Sequence, residues 1–194
     1  MRQDFQHVTA GQLAELFPVL LTGHEPEWAA YYQAEKVFLQ SVFQDKIMRI
    51  HHIGSTAVPG LLAKPTIDIL LEVAEDCDLR PFTERMLDEG YVVNTPGSDL
   101  IMYLKGYTPQ GFQGQAVHIH VRRIGDWGEL YFRDYLIAYP QIQAEYAKLK
   151  LLFKSQYPND RDAYTLAKGP FVQKYTEQAR VEFGERYDPA ALAK

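Results

Sequence analysis

The stretch HHIGSTAVPGLLAKPTIDILLEV, residues 51–73, decides how the rest of the chain is interpreted. It reads as the end of a strand, a Gly-Ser turn, a short linker and a second strand that carries one acid within its apolar run, Asp68. Burying an ionised carboxylate is costly unless the group is paired. The stretch therefore predicts either a phosphate and metal site or a tight turn beside a capped strand.

Gly54, Ser55 and Thr56 form the turn. A glycine after a strand lets the backbone bend and approach a ligand closely, and a serine or threonine can cap a following helix. The exposed N–H groups and the positive end of such a helix favour an anion, typically a phosphate. The alternative is a capped turn with no ligand, and these three residues alone leave both interpretations open.

Asp68 lies on a predicted strand, residues 66–73, whose β-favouring run fits a strand covered on both faces. A two-metal phosphoryl-transfer site needs clustered carboxylates, and two acids at alternate positions of one strand supply them. Here Thr66 occupies the first of those positions, and Glu72 lies about 13 Å from Asp68 at roughly 3.3 Å per residue. Asp68 is therefore predicted to bind one metal ion, or else to be a structural acid paired with a nearby cation or backbone amide.

His118 and His120 alternate on the predicted strand AVHIHVRR, residues 116–123, so both rings share one face. Such a pair can bind a divalent metal ion, bind phosphate or transfer protons, or it can simply be half-exposed. The functional interpretation requires this strand to neighbour the Asp68 strand. His51 and His52 point to opposite faces, so only one of them could join the pair.

The basic candidates for this site are Lys64, Lys168, Arg122, Arg123 and Arg133. Lys64 is the strongest of them, because it precedes a proline at the mouth of the Asp68 strand, where a cation could meet a phosphate. Lysine and arginine are more often solvated surface residues. Lys64 and Arg123 are also the cations that could pair with Asp68 in a purely structural role. Arg133 adjoins Asp134 among aromatic residues, which is more typical of helix packing than of chemistry.

The hydrophobic pattern predicts an α+β fold, with a small mixed sheet of about five strands and a helical C-terminal portion. Strands are predicted at 46–53, 66–73, 91–94, 100–106 and 116–123, with a short one at 19–23 and a TPGSD turn at 95–99. Helices are predicted at 11–17, 26–44, 79–90, 129–139, 140–157 and 160–187, the last broken at Gly169-Pro170. We expect one domain over residues 1–194, mainly helical over 129–187.

The composition is that of an ordinary globular chain, with 194 residues, 46% of them hydrophobic and 23% charged. The net charge of −5 argues against a broad nucleic-acid surface. A single cysteine excludes an intrachain disulfide, no stretch approaches the roughly 20 apolar residues of a membrane span, and the N-terminus lacks the apolar core of a signal peptide. These features predict a cytoplasmic protein that does not enter membranes.

Seven segments between residues 24 and 175 carry a resemblance to a known family: EPEWAAYYQAEK, HIGSTAVPGLLAKPTIDILLEV, the GY after the first central helix, HIHV, FRDYL, EYAKLK and YTLAKGPF. The chain resembles the GrpB family, whose fold is nucleotidyltransferase-like. In that wider superfamily a Gly-Ser turn binds nucleotide phosphates, while an Asp-x-Asp pair and a third acid on a later strand bind Mg²⁺. Gly54 and Ser55 match the turn and Asp68 matches the second acid. Thr66 replaces the first acid, and His118 and His120 stand where the third is expected.

The resemblance implies a protein that binds or acts on a nucleotide or another phosphorylated small molecule. Ser55 and the neighbouring amides would bind the phosphates, Lys64 would neutralise charge, and Asp68 would bind one Mg²⁺. His118 or His120 would be a second metal ligand or a proton acceptor. Two alternatives remain: a nucleotide-sensing module that has lost catalysis, and an interaction or scaffold protein that uses its aromatic helices over 129–187. The sequence leaves the oligomeric state open.

Overall fold

A computed structural model describes residues 9–95 and 100–192, and within them five strands form one mixed sheet. The strands are β1 (Ile47–Ile53), β2 (Thr66–Val73), β3 (Val92–Thr95), β4 (Leu100–Thr108) and β5 (Gly111–Arg123). Their order across the sheet is β1-β2-β5-β4-β3. Only β2 and β5 run parallel; the other neighbours are antiparallel.

The described α-helices are α1 (Ala10–Leu16), α2 (Glu27–Phe43), α3 (Arg80–Asp88), α4 (Gly128–Ala138), α5 (Pro140–Gln156), α6 (Arg161–Ala167), α7 (Gly169–Phe183) and α8 (Pro189–Leu192). Pro140 and Pro170 occupy the first turns of α5 and α7, where the missing N–H has no intrahelical partner to lose. The predicted α+β class and the helical C-terminal portion are therefore confirmed. No helix among these residues is both long and apolar enough to cross a bilayer.

The two faces of the sheet have different coverings. Alternate residues of β2, among them Ile67 and Ile69, pack with α2 and α3 in the main hydrophobic core. The opposite face meets the C-terminal helices, where Leu70 packs against Leu130 of α4. Seven of the eight residues of β2 are buried, and the half-buried exception is Asp68. The prediction that β2 is covered on both faces is therefore confirmed, and Asp68 marks a gap in that covering.

Two local predictions are corrected. Residues 19–23 form no strand, because only Thr22 pairs, in an isolated antiparallel bridge with Ala63. The strand predicted at 116–123 begins earlier, at Gly111, because the chain turns back after Thr108 and extends the β4–β5 hairpin. The TPGSD turn lies largely outside the described residues.

Candidate functional site

Asp68, His118 and His120 meet on one face of the sheet. The parallel pairing of β2 with β5 sets Asp68 opposite His118 and Leu70 opposite His120. One carboxylate oxygen, Oδ1 of Asp68, lies 3.1 Å from Nδ1 of His118 and 3.6 Å from Nε2 of His120. The two strands are neighbours, as the functional interpretation of the histidine pair required.

The electrostatics of Asp68 follow from these two partners. Burial would by itself raise the pKa of its carboxyl group, but the hydrogen bonds and charge of His118 and His120 outweigh burial and hold the pKa far below its ordinary value. Asp68 is therefore a carboxylate at any physiological pH. It is available as an anionic ligand or as the partner of a protonated group.

The Gly-Ser turn opens onto the same cavity as the acid. This cavity has a volume of about 1180 Å³, enough for a nucleotide-sized ligand, and its walls include Gly54, Ser55, Asp68 and both histidines. Gly54 has φ 70° and ψ −170°, a conformation that glycine adopts most readily. The predicted α-helix cap is not formed. Ser55–Ala57 make a single 3₁₀ turn without a side-chain cap, because the chain leaves helical geometry at Val58.

Thr56 lies beside this turn but is not among the residues that line the cavity. Its hydroxyl is buried, donates to the carbonyl oxygen of Thr66 at 2.9 Å and lies 3.0 Å from Nε2 of His52. Thr56 therefore fixes the turn against the first residue of β2. His52 stacks on Tyr32 on the other side of the sheet from the histidine pair, and burial lowers its pKa to about 4.

Three lysines line the cavity beside Ser55: Lys64, Lys150 and Lys168. Nζ of Lys150 lies 2.7 Å from Oγ of Ser55, and only 1% of this lysine is exposed. Burial is the main cause that lowers the pKa of all three amines, to about 7 for Lys64, about 6 for Lys150 and about 8 for Lys168. Asp68 opposes this effect at Lys64 and Lys168, whereas repulsion from neighbouring cations, including Arg161, adds to it. At pH 7 these pKa values leave Lys150 mostly neutral and Lys64 partly so, and a bound anion would favour the charged form of each amine.

Aromatic rings support these cations and form part of the cavity wall. Nζ of Lys168 lies 4.4 Å and Nζ of Lys64 lies 5.4 Å from the centre of the Tyr164 ring, and Nζ of Lys150 lies 4.6 Å from that of Tyr146. Such cation–π contacts attract an ammonium group without neutralising it. The rings would therefore stabilise the charged form of these amines when an anionic ligand binds.

Sequence reasoning missed Lys150, Arg161 and Tyr107. A signal for Lys150 existed, because it lies four residues after Tyr146 and so falls on the apolar stripe of α5, where a charged residue is unexpected. Tyr107 donates to or accepts from Nε2 of His118 at 2.7 Å, and Arg161 donates to the same hydroxyl at 3.0 Å. Neither contact has a sequence pattern, because each joins segments that only the fold brings together.

The remaining predicted cations have other partners. Arg122 pairs with Glu129 at 2.7 Å, and Arg123 donates to the carbonyl oxygens of residues 74 and 77, so Arg123 is not the partner of Asp68. Arg133 lines the cavity, but its guanidinium binds Asp134 at 2.7 Å and the carbonyl oxygen of His52 at 2.9 Å. These arginines hold elements of the fold together.

The Asp68, His118 and His120 donors lie within 4.8 Å of one another and could hold a metal ion. Two of the three donor atoms are imidazole nitrogens, and Thr66 supplies no carboxylate. Mg²⁺ prefers oxygen ligands in a near-octahedral shell, so this donor set fits Mg²⁺ poorly. A cluster that could bind a metal ion is present, but it is not the carboxylate cluster that the resemblance implies.

Comparison with known proteins shows which family this chain resembles. The family model described as "GrpB protein" matches residues 18–178. UPF0157 protein YqkA of Bacillus subtilis (strain 168) is 35% identical over 160 residues, which are 81% of this chain and 46% of that relative. The chain thus spans about half of that relative's length. Glutamate-rich protein GrpB of Alkalihalophilus pseudofirmus is 34% identical over 166 residues, 80% of this chain and 92% of the relative.

A more distant relative bears an enzyme name. Dephospho-CoA kinase of Mycolicibacterium paratuberculosis is 28% identical over 194 residues, 87% of this chain and 48% of the relative. Among solved structures, the conserved protein GrpB from Enterococcus faecalis is similar with a TM-score of 0.75 and 26% identity, covering 84% of this chain and 99% of that one. The sequence match and the shared architecture lead to one conclusion: the chain belongs to the GrpB family.

Proposed function

We propose that the cavity binds a nucleotide or another phosphorylated small molecule through its phosphate groups. The observation that carries this proposal is the convergence of Lys64, Lys150 and Lys168 beside Ser55. Within residues 9–95 and 100–192, no salt bridge joins any of the three amines to a carboxylate. Burial disfavours the charged form of these amines, Asp68 is a counter-charge for Lys64 and Lys168 at longer range, and a bound polyanion would favour protonation of all three.

Ser55 would contact the phosphates directly, since its hydroxyl borders the cavity and Lys150 fixes its position. Gly54 would let the backbone of the turn approach the ligand, and Lys64 and Lys168 would neutralise phosphate charge across the cavity. The aromatic rings of Tyr146 and Tyr164 give apolar wall area, as small-molecule sites commonly have.

If the protein is an enzyme, Asp68, His118 and His120 would be its catalytic residues. In nucleotidyl transfer, a hydroxyl group of the acceptor attacks the α-phosphorus of the nucleotide, the hydroxyl loses its proton and pyrophosphate leaves. His118 and His120 would be metal ligands or proton acceptors in this reaction, and Asp68 would be the anionic partner. Mg²⁺ as the cofactor stays a prediction from the resemblance.

The names of two distant relatives favour a phosphorylated ligand. Two dephospho-CoA kinases align with this chain over somewhat less than half of their own length, 48% and 45%. That name gives dephospho-CoA as the substrate of those proteins. Dephospho-CoA and CoA therefore belong among the ligands to be tested, together with nucleoside triphosphates.

A non-catalytic nucleotide sensor is the second candidate. The observation in its favour is Thr66, which occupies the position of the first acid and leaves Asp68 as the one carboxylate of β2 that faces the cavity. Such a module would keep the phosphate contacts of Ser55 and the lysines but would not turn over its ligand.

One experiment separates these functions. The purified chain is titrated calorimetrically with ATP, CTP, GTP, UTP, dephospho-CoA and pyrophosphate, and is incubated with α-labelled triphosphates in the presence of Mg²⁺, Mn²⁺ or Zn²⁺. Binding with turnover that Asp68→Ala abolishes supports the enzyme. Binding without turnover supports the sensor. If no phosphorylated compound gives a binding signal in the titration, and none raises the unfolding temperature in a parallel thermal-unfolding measurement, the proposal is wrong and a scaffold role gains support.

A further inference from the structure

Asp68, His118 and His120 present one oxygen and two nitrogen atoms to a single region of the cavity. The nitrogen atoms lie 3.1 Å and 3.6 Å from the same carboxylate oxygen. Two ligands that are each about 2.0–2.1 Å from a tetrahedral metal ion lie roughly 3.3 Å apart. The two separations from Asp68 bracket this value, and the two nitrogen atoms lie within 4.8 Å of each other, so the three donors are close enough to share one small ion.

The chemistry of the donors selects the ion. Imidazole nitrogen binds zinc, copper, iron and nickel ions well, whereas Mg²⁺ is bound mainly by carboxylate, phosphate and water oxygens. Two histidines with one carboxylate are a ligand set typical of catalytic transition-metal sites. We propose that Asp68, His118 and His120 bind a divalent first-row transition metal ion, with zinc as the tightest of Zn²⁺, Co²⁺ and Mn²⁺, in preference to Mg²⁺.

The surroundings of His118 support this assignment. Its Nε2 atom lies 2.7 Å from the hydroxyl of Tyr107, which in turn accepts a hydrogen bond from Arg161 at 3.0 Å. The ring is therefore held with Nδ1 toward Asp68. A hydrogen bond to the second nitrogen of a metal-binding histidine is a common feature that fixes the orientation of the ring.

The site has three protein donors and faces a large cavity. A structural zinc site is usually closed by four protein ligands, whereas a site with three leaves a position for water or substrate. The lysines next to the triad would bring phosphate oxygens to that open position. In this respect the inference rests on the proposed function, because the phosphorylated ligand would complete the coordination of the metal ion.

The competing explanation needs no metal. The two histidines could serve only as hydrogen-bond partners that keep Asp68 ionised. In that case the triad would show no preference for transition metals over Mg²⁺, and the two explanations differ in a quantity that can be measured without nucleotide.

The test uses the full chain, freed of metal with a chelator and dialysed. Zn²⁺, Co²⁺, Mn²⁺ and Mg²⁺ are titrated separately by calorimetry, with no nucleotide present. We expect one ion per chain, affinities in the order Zn²⁺, Co²⁺, Mn²⁺ with Mg²⁺ weakest, and at least a hundredfold gap between Zn²⁺ and Mg²⁺. The visible absorption spectrum of bound Co²⁺ should show nitrogen ligands and a low coordination number.

Variants locate the site. His118→Ala and His120→Ala should each weaken Zn²⁺ binding by a factor of at least 10, while His51→Gln, a half-buried histidine that does not line the cavity, should not. If an alanine variant fails to fold, the Co²⁺ spectrum of the unaltered protein still decides the matter. Equal or tighter binding of Mg²⁺, or Zn²⁺ affinity unchanged in both histidine variants, overturns the inference. A metal site without nucleotide binding would instead contradict only the proposed function.

Discussion

Gly54 lies so close to Asp68 that a β-carbon added at residue 54 would be 2.5 Å from the carboxylate oxygen Oδ2. Real β-carbons essentially never come within 3.0 Å of another side chain's atoms. The turn and the acid are therefore built against each other, although 14 positions separate them in the sequence. This contact ties the turn proposed to bind phosphate to the acid proposed to carry the chemistry.

Gly54→Ala should disturb both the Gly-Ser turn and the position of Asp68. The backbone at residue 54, with φ 70° and ψ −170°, costs a non-glycine residue about 1–3 kcal/mol, and the contact with Asp68 adds to that cost. We expect a melting temperature lower by several degrees and at least tenfold weaker ligand binding, measured by thermal unfolding and calorimetry. Gly23→Ala is the matched control, because a β-carbon there meets nothing within 4 Å. Equal effects of the two substitutions would contradict this prediction.

The parts of the site that the sequence predicts are those governed by strand periodicity. The run at 66–73 matches β2 at both ends, and the alternation of HIHV sets His118 and His120 on one face. The parallel neighbourhood of β2 and β5 could not be read from spacing, because sheet order depends on how distant segments pack. That these strands are neighbours is a condition for the functional interpretation of the histidine pair, and the structure meets it.

The parts that the sequence does not predict come from helices whose orientation only the packed structure fixes. Lys150 and Arg161 belong to α5 and to α6, and both reach the cavity across large sequence separations. A lysine in a helix is most often exposed to solvent, so the residue type alone did not predict that Lys150 is buried. The ligand contact expected of Thr56 stays a prediction, and the sequence does not show that its hydroxyl donates to Thr66 and lies beside His52.

Lys150→Met tests the role of the buried amine. Methionine keeps much of the side-chain length but removes the titratable amine and its hydrogen bonds to Ser55 and to the carbonyl oxygen of Leu62. We expect affinity for phosphorylated ligands to fall by about 10- to 100-fold, the equivalent of about 1.4–2.7 kcal/mol, because the amine would take up a proton and make a charge-assisted contact when a phosphate binds. Lys148→Met, an exposed position on the same helix, is the control. A ligand affinity that survives Lys150→Met unchanged would remove Lys150 from the site.

The free energy of unfolding should rise with pH because the amine of Lys150 is buried. Burial lowers the folded-state pKa of Lys150 to about 6, whereas an unfolded lysine titrates near about 10.4. Between these values the unfolded chain binds more protons than the folded one, so the free energy of unfolding increases as the pH rises. Urea unfolding at pH 7, 8 and 9 should therefore give a steeper increase for the unaltered protein and for Lys148→Met than for Lys150→Met. The same slope in all three would show that Lys150 keeps an ordinary pKa.

Tyr107→Phe tests the support of the metal site. The substitution removes the hydroxyl that contacts Nε2 of His118 and accepts from Arg161, and it changes no proposed ligand. Loss of such a contact typically weakens metal binding by about 10- to 100-fold, and calorimetric titration with Zn²⁺ measures it. Tyr103→Phe is the control, because that hydroxyl contacts Thr83 at 2.7 Å, away from the triad. Equal Zn²⁺ affinities in both variants would mean that Tyr107 does not orient His118.

Glu72 lies on the same face of β2 as Asp68, but its contacts stabilise the fold. Its side chain is fully buried, and Oε1 accepts from Arg49 at 2.6 Å and from the backbone N–H of Gly125 at 3.0 Å. Arg49→Met would leave this carboxylate buried with one donor, so we expect a loss of about 3–5 kcal/mol in the free energy of unfolding, measured in urea.

The double variant Arg49→Met, Glu72→Met should recover most of that loss, because replacing both members of a buried ion pair by apolar side chains of similar size is often nearly neutral. Neither variant should change Zn²⁺ affinity, since Glu72 is no part of the triad. A double variant as unstable as Arg49→Met alone would show that the guanidinium stabilises the protein mainly through other contacts, such as its hydrogen bond to the carbonyl oxygen of Tyr187 at 2.9 Å. In that event the stability of this region would depend on the contact between Arg49 and Tyr187 more than on the Arg49–Glu72 ion pair.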